Sequence, residues 1–143
     1  MRGIIALALL MVTGGYVLAD NVVPELSRRT LIPVSELDEL LSDCQKTQLA
    51  MNICAARDSV AADIKMDRML SQALLSIDKS CRLALTQAQI NWKKHVGFGC
   101  DQEANAEAED GSMRPMVYNS CIEAATIKRT KELAKIKACK NVR

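Results

Sequence analysis

Large side chains are scarce in this sequence. Its 143 residues include one tryptophan, two tyrosines, one phenylalanine and a single histidine. So few rings exclude the stacking platforms on which single-stranded nucleic acid is bound. Charge offers no other route to nucleic acid: 19 basic against 17 acidic side chains leave a formal net charge of +2, too small for a field that gathers polyanions. With one histidine and no Cys-x-x-Cys, the spaced ligands of a zinc site are missing, so neither metal nor other cofactor is expected. No triad, paired-carboxylate motif or glycine-rich phosphate loop accompanies His95. It reads as a partly exposed histidine at a helix end, and the chain reads as no enzyme. No stretch alternates with period two, which leaves an all-α fold.

Long apolar runs are also lacking, with one short exception. After Arg2, residues Ile4 to Val12 are apolar, Thr13-Gly14-Gly15 ends the run, and Val17-Leu18-Ala19 suits a signal peptidase. The run falls short of the roughly 20 residues that cross a bilayer. Residues 1–19 are therefore expected to be a signal peptide, with a periplasmic or secreted product that has no transmembrane segment. No cysteine precedes Cys44, so none is available near Ala19 for acylation.

What is present is cysteine. Cys44, Cys54, Cys81, Cys100, Cys121 and Cys139 are an even set in a chain bound for an oxidising compartment. Residues 20–42 read as a flexible lead-in with a short helix over Leu37 to Leu41, capped by Ser35-Glu36-Leu37-Asp38. A helical domain over 43–140 follows, with three main helices. Met51, Ala55, Ala62, Met66, Leu70, Ala73 and Ile77 mark the apolar face of the first. Asp78 caps the second, which carries Cys81, Leu85, Ala88 and Trp92 on one side and ends at Gly97-Phe98-Gly99-Cys100. Asp101 to Arg114 reads as an acidic loop. Pro115 opens the third helix, with Ile122, Ala125, Leu133, Ile136 and Cys139 facing inward.

If the second and third helices form an antiparallel hairpin, Cys100 and Cys121 meet near its turn. Cys81 and Cys139 lie 19 and 18 residues back along their helices, near 28 Å in each case at about 1.5 Å per residue. Those pairs fall at matching heights, leaving Cys44 for Cys54.

Asp43-Cys44, Thr47-Gln48, Met51-Asn52, Cys54-Ala55, Ala62-Asp63, Met66, Leu70, Ala88-Gln89, Trp92 and Cys100 form an ordered pattern. It continues with Gly111-Ser112, Pro115-Met116, Cys121, Thr126, Arg129 and Leu133. The pattern resembles the LprI-type lysozyme-inhibitor N-terminal-like domain family, with Cys81 and Cys139 as additions to a four-cysteine set. The resemblance implies a protein partner and inhibition of lysozyme or a related wall-cleaving enzyme. An envelope structural or adaptor protein that binds anionic polymers is the alternative. The basic stretch Lys128 to Arg143 suits that alternative.

Candidate contact residues are Glu107, Glu109, Asp110, Gly111, Ser112 and Arg114 in the acidic loop, because clustered carboxylates steer basic partners such as lysozymes. The hydroxyl of Ser112 and the guanidinium of Arg114 are read as able to reach catalytic carboxylates. Gln89 and Trp92 read as core residues, and Asp63 and Arg129 as a buried ion pair between the first and third main helices. The oligomeric state is left open.

Overall fold

The computed structural model describes residues 22–138, so the expected signal peptide and Cys139 lie outside the described residues. Within them the chain forms α1 (Val22–Thr30), α2 (Val34–Ser42), α3 (Gln48–Ser76), α4 (Lys79–Ala108) and α5 (Arg114–Leu133), with no strand.

Helix α3 begins where Thr47 supplies a cap. Its backbone is extended and its hydroxyl accepts a hydrogen bond from the Ala50 N–H at 3.1 Å. At the other end the chain turns through Ile77 and Asp78 directly into α4. Asp78 occupies the cap position as expected, but its side chain makes no capping bond; its carbonyl accepts from the Cys81 N–H at 2.9 Å. Helix α5 then packs along both α3 and α4. Two bonds pin its ends to α3: Asn52 Nδ2 donates to Ser112 O at 2.9 Å, and Ser76 Oγ donates to Ile136 O at 3.1 Å. The three long helices are thus an up–down–up bundle in which α3 and α5 run the same way.

Apolar burial falls into two clusters. Met66, Ala73, Ile77, Cys81, Leu85, Leu133 and Ile136 close the bundle at the α3–α4 turn, with Trp92 against their edge. Leu26, Leu37, Ile53 and Val60 form the second, where α1 and α2 lie on α3.

The lead-in differs from expectation. Val22–Thr30 is helical and its Leu26 is fully buried. Pro24 sits in the first turn, where it costs no hydrogen bond. Glu25 pairs with Arg28 and Arg29, each at 2.7 Å. Hydrogen bonds from Arg28 and then Arg29 hold the Glu25 carboxyl down at about 2. The helix stops at Leu31, whose φ of 61° lies in the left-handed region. That conformation costs a leucine roughly 1–2 kcal/mol. It turns the chain so that Ile32 packs into the second cluster, while Ser27 Oγ donates to Ile32 O at 2.6 Å. The next helix is also longer than Leu37 to Leu41. It starts at Val34, with Pro33 rather than Ser35 at the cap position and no side-chain cap bond.

The glycines of α4 also differ from expectation. Helix α4 does not end at Gly97-Phe98-Gly99 but continues to Ala108, and neither glycine has positive φ. Cys100 and Ala104 are buried on the side facing the bundle, and Ala104, Ala106 and Ala108 are strong helix formers. The burial of Cys100 and Ala104 outweighs the roughly 1 kcal/mol that each glycine costs in a helix.

Cys44–Cys54 ties the α2–α3 connection to α3 with Cα atoms 5.8 Å apart, and Cys100–Cys121 ties α4 to α5 at 5.6 Å. Cys81 is also disulfide-bonded; its expected partner Cys139 is outside the described residues. The crosslinks suit an oxidising, extracytoplasmic compartment. Replacing Cys100→Ser together with Cys121→Ser, which opens a loop of sequence separation 21, is expected to lower the unfolding free energy by about 3 kcal/mol in urea denaturation. An unchanged midpoint would show that packing alone holds the hairpin.

Candidate functional site

The residues assigned to an acidic loop are mostly helical. Asp101 to Ala108 are the last turns of α4, and only 109–113 form the turn into α5. Helix α4 ends at Glu109, which adopts φ 47° and donates its N–H to Asn105 O at 3.0 Å. Gly111 follows, its N–H donating to Ala108 O at 2.8 Å. A Cβ on Gly111 would stand 2.8 Å from the same carbonyl oxygen, so the turn needs a residue without a side chain.

Two further tethers hold the turn. The carbonyl of Ser112 accepts the bond from Asn52 on α3. Arg114 is folded back: its guanidinium pairs with Asp101, and its Nε donates to Asn105 Oδ1 at 2.7 Å. Arg114 therefore fixes the turn from within and is not the outward-reaching group expected of it. The Ser112 carbonyl has a similar positioning role.

What projects is a compact acidic cap. Glu103, Glu107, Glu109, Asp110, Gly111 and Ser112 are all exposed. Met113 is 48% exposed and Leu49 51% exposed. Leu49 lies three residues before Asn52, which reaches Ser112, so the two apolar side chains flank the same end of the bundle. Sequence reasoning singled out the carboxylates but missed Leu49, Asn52 and Asn105. The signal for Leu49 was an apolar residue beside the Thr47 cap, off the buried face.

The second group of candidates lies higher on the bundle. Trp92 is half-buried and acts as a wall between two depressions. One is a cleft of about 170 Å³ whose lining includes Ser59, Asp63, Lys93, Tyr118 and Thr126; the other is an open hollow of about 420 Å³ lined by Ala88, Asn91, Trp92, His95 and Arg129. His95 is exposed in the interior of α4, not at its end.

Asp63 and Arg129 are not partners. Asp63 accepts from Arg29 at 2.7 Å and pairs with Lys93 at 3.3 Å, which binds α1 and α4 to α3. Arg129 instead donates Nε to Gln89 Oε1 at 3.0 Å and Nη1 to Glu132 Oε2 at 3.1 Å, with its Cζ 5.9 Å from the centre of the Trp92 ring. A neutral amide and a half-exposed carboxylate serve two of the three nitrogens of the buried guanidinium without burying a second ion, which is the costly part of an internal pair. Gln89 is buried, whereas Trp92 is only half-buried. Among the described residues no group of three or more His, Cys, Asp or Glu is placed to hold a metal, and no helix is long and apolar enough to cross a membrane.

An all-α bundle braced by disulfides, with a rigid acidic cap at one end, is the class that the fold defines. The model of the lysozyme inhibitor LprI family matches residues 42–133, from the end of α2 to the end of α5, and the chain belongs to that family. It is also similar to an uncharacterised protein of Rhizobium meliloti (strain 1021), 34% identical over 109 residues that cover 66% of this chain and 78% of that protein. No solved structure matches the chain significantly.

Double-mutant cycles on thermal stability are expected to give a coupling of about 0.5–1 kcal/mol for Arg29 with Asp63 and none for Asp63 with Arg129. Coupling of the second pair would contradict the geometry. Gly111→Ala is expected to destabilise by about 1 kcal/mol or more, read as a lower Tm, because the new Cβ collides with the Ala108 carbonyl. An unchanged Tm would show that the turn tolerates a side chain.

Proposed function

We propose that the protein is exported and inhibits lysozyme, or a related wall-cleaving enzyme, by docking its acidic cap against the basic enzyme surface. Membership of a lysozyme inhibitor family supports the partner class. The observation that carries the surface is the tethering of the turn: Gly111, Ser112 and Arg114 are each bonded to the bundle, while Glu107, Glu109 and Asp110 project. A contact surface already held in place loses little entropy on binding. Carboxylates at its rim accelerate encounter with a basic partner, and Met113 and Leu49 supply apolar area for the contact itself. The protein acts by occupancy, not turnover.

Titrating lysozyme activity on a cell-wall suspension with oxidised protein is expected to show stoichiometric inhibition. The variant Glu107→Lys/Glu109→Lys/Asp110→Lys is expected to weaken it about tenfold or more, mainly through a slower, less salt-dependent association. Full inhibition by this variant would move the surface elsewhere. No inhibition of several lysozyme types, together with salt-sensitive retention on anionic wall polymers, would favour the adaptor reading.

A further inference from the structure

Arg129 is only 6% exposed, yet its nitrogens are unequally served. Nε is engaged by Gln89 and Nη1 by Glu132, whereas the buried Nη2 meets no hydrogen-bond acceptor among the described residues. A buried donor without an acceptor is costly, and the face of Trp92 steadies the guanidinium without offering an oxygen. With Nε engaged, the Nη1–Nη2 edge is the one left that fits a carboxylate, with two parallel N–H···O bonds. Glu132 fills only one corner of it, through one oxygen. It sits three residues along the same helix with its side chain 45% exposed, free to move into solvent.

Arg129 also lines an open hollow of about 420 Å³, together with Ala88, Asn91, Trp92 and His95. We propose that the hollow binds a carboxylate, that of a short peptide with a free C-terminus. The ligand's carboxylate displaces Glu132 and takes both corners of the Arg129 fork. The Trp92 ring walls the adjoining side chain, and the Asn91 amide and His95 ring offer hydrogen bonds at the rim. Glu132 is then an internal stand-in for the ligand. The site is distinct from the acidic cap, fifteen residues from Arg114 along α5, or about 22 Å at 1.5 Å per residue. It does not rest on lysozyme binding.

Trp92 is the chain's only tryptophan, so its fluorescence reports on the hollow directly. Oxidised protein is titrated with N-acetyl-Ala-Ala, with the C-terminal amide of that peptide, and with N-acetyl-Glu amide, which carries only a side-chain carboxylate. The expected result is a saturable change with N-acetyl-Ala-Ala, no change with its amide, and several-fold tighter binding to Glu132→Gln, where the competitor is gone. A response to N-acetyl-Glu amide alone would overturn the C-terminal source. Arg129→Lys, which removes the fork but keeps the charge, is expected to abolish the response with helical circular dichroism retained. Should that variant not fold, Glu132→Gln and the amide decide. Equal responses to acid and amide, no saturable response, or no tightening in Glu132→Gln would each overturn the site.

Discussion

Gln89 accepts from Arg129 on α5 and gives its own amide to Met66 Sδ on α3 at 3.3 Å, so one polar thread crosses the bundle from α5 through α4 to α3. All three side chains are buried. Apolar contact has no direction, and a core of Leu, Met and Ala can slide along a helix with little change in buried area. A hydrogen-bonded chain cannot slide without leaving a buried donor or acceptor unmade. The thread therefore sets which faces of the three helices meet. The end bonds agree with it: Asn52 with Ser112 and Ser76 with Ile136 both join residues 60 apart. Helices α3 and α5 keep the same step at both ends.

The scarcity of aromatic side chains shapes the rest. The largest fully buried side chains are four leucines and a methionine, divided between two clusters. Each cluster is small, and neither is continuous with the turn at the far end of α4. Cys44–Cys54 and Cys100–Cys121 lie outside both clusters, whereas Cys81, also disulfide-bonded, belongs to the first. Cys44–Cys54 holds the connection that brings α2, and with it Leu37, onto α3. Cys100–Cys121 holds the lower part of the hairpin, below the Met66 cluster. Crosslinks restrict the unfolded chain most usefully when burial is limited.

Much of this was legible in the chain. Helical spacing marked α3 and α5, and a hairpin assumed between α4 and α5 placed Cys100 beside Cys121. Three features were hidden for physical reasons. Helix α1 has a proline and adjacent arginines, and its helicity depends on Leu26 finding the side of α3, which no local pattern states. Gly97 and Gly99 imitate a helix end, but the burial of Cys100 and Ala104 overrides that preference. Asp63 and Arg129 fall on inward faces of their helices. Periodicity gives the face and not the neighbour, so the real partners, Arg29 and Gln89, could be found only in three dimensions. For the candidate contact surface the charges were visible, whereas the tethering by Asn52 and Asn105 was not.

The glycines bear directly on that surface. A helix that contains Gly97 and Gly99 within three residues is weak there, since each favours the coil by about 1 kcal/mol over alanine. Packing does not demand them: a Cβ would meet nothing within 4 Å at Gly99, and only Tyr118 Oη at 3.9 Å at Gly97. Left alone, α4 would fray from this point, and the cap built on its last turns would lose its support. The disulfide at Cys100 lies one residue beyond the second glycine and fastens the strand of helix that follows to α5. Ala104, fully buried, continues that contact one turn later, and Asp101 and Asn105 complete it through Arg114. The order along the chain is weak helix, covalent anchor, buried alanine, polar clamp, turn. Rigidity of the acidic end thus originates at Cys100–Cys121, because each later contact requires that the helix be re-established just after the glycines.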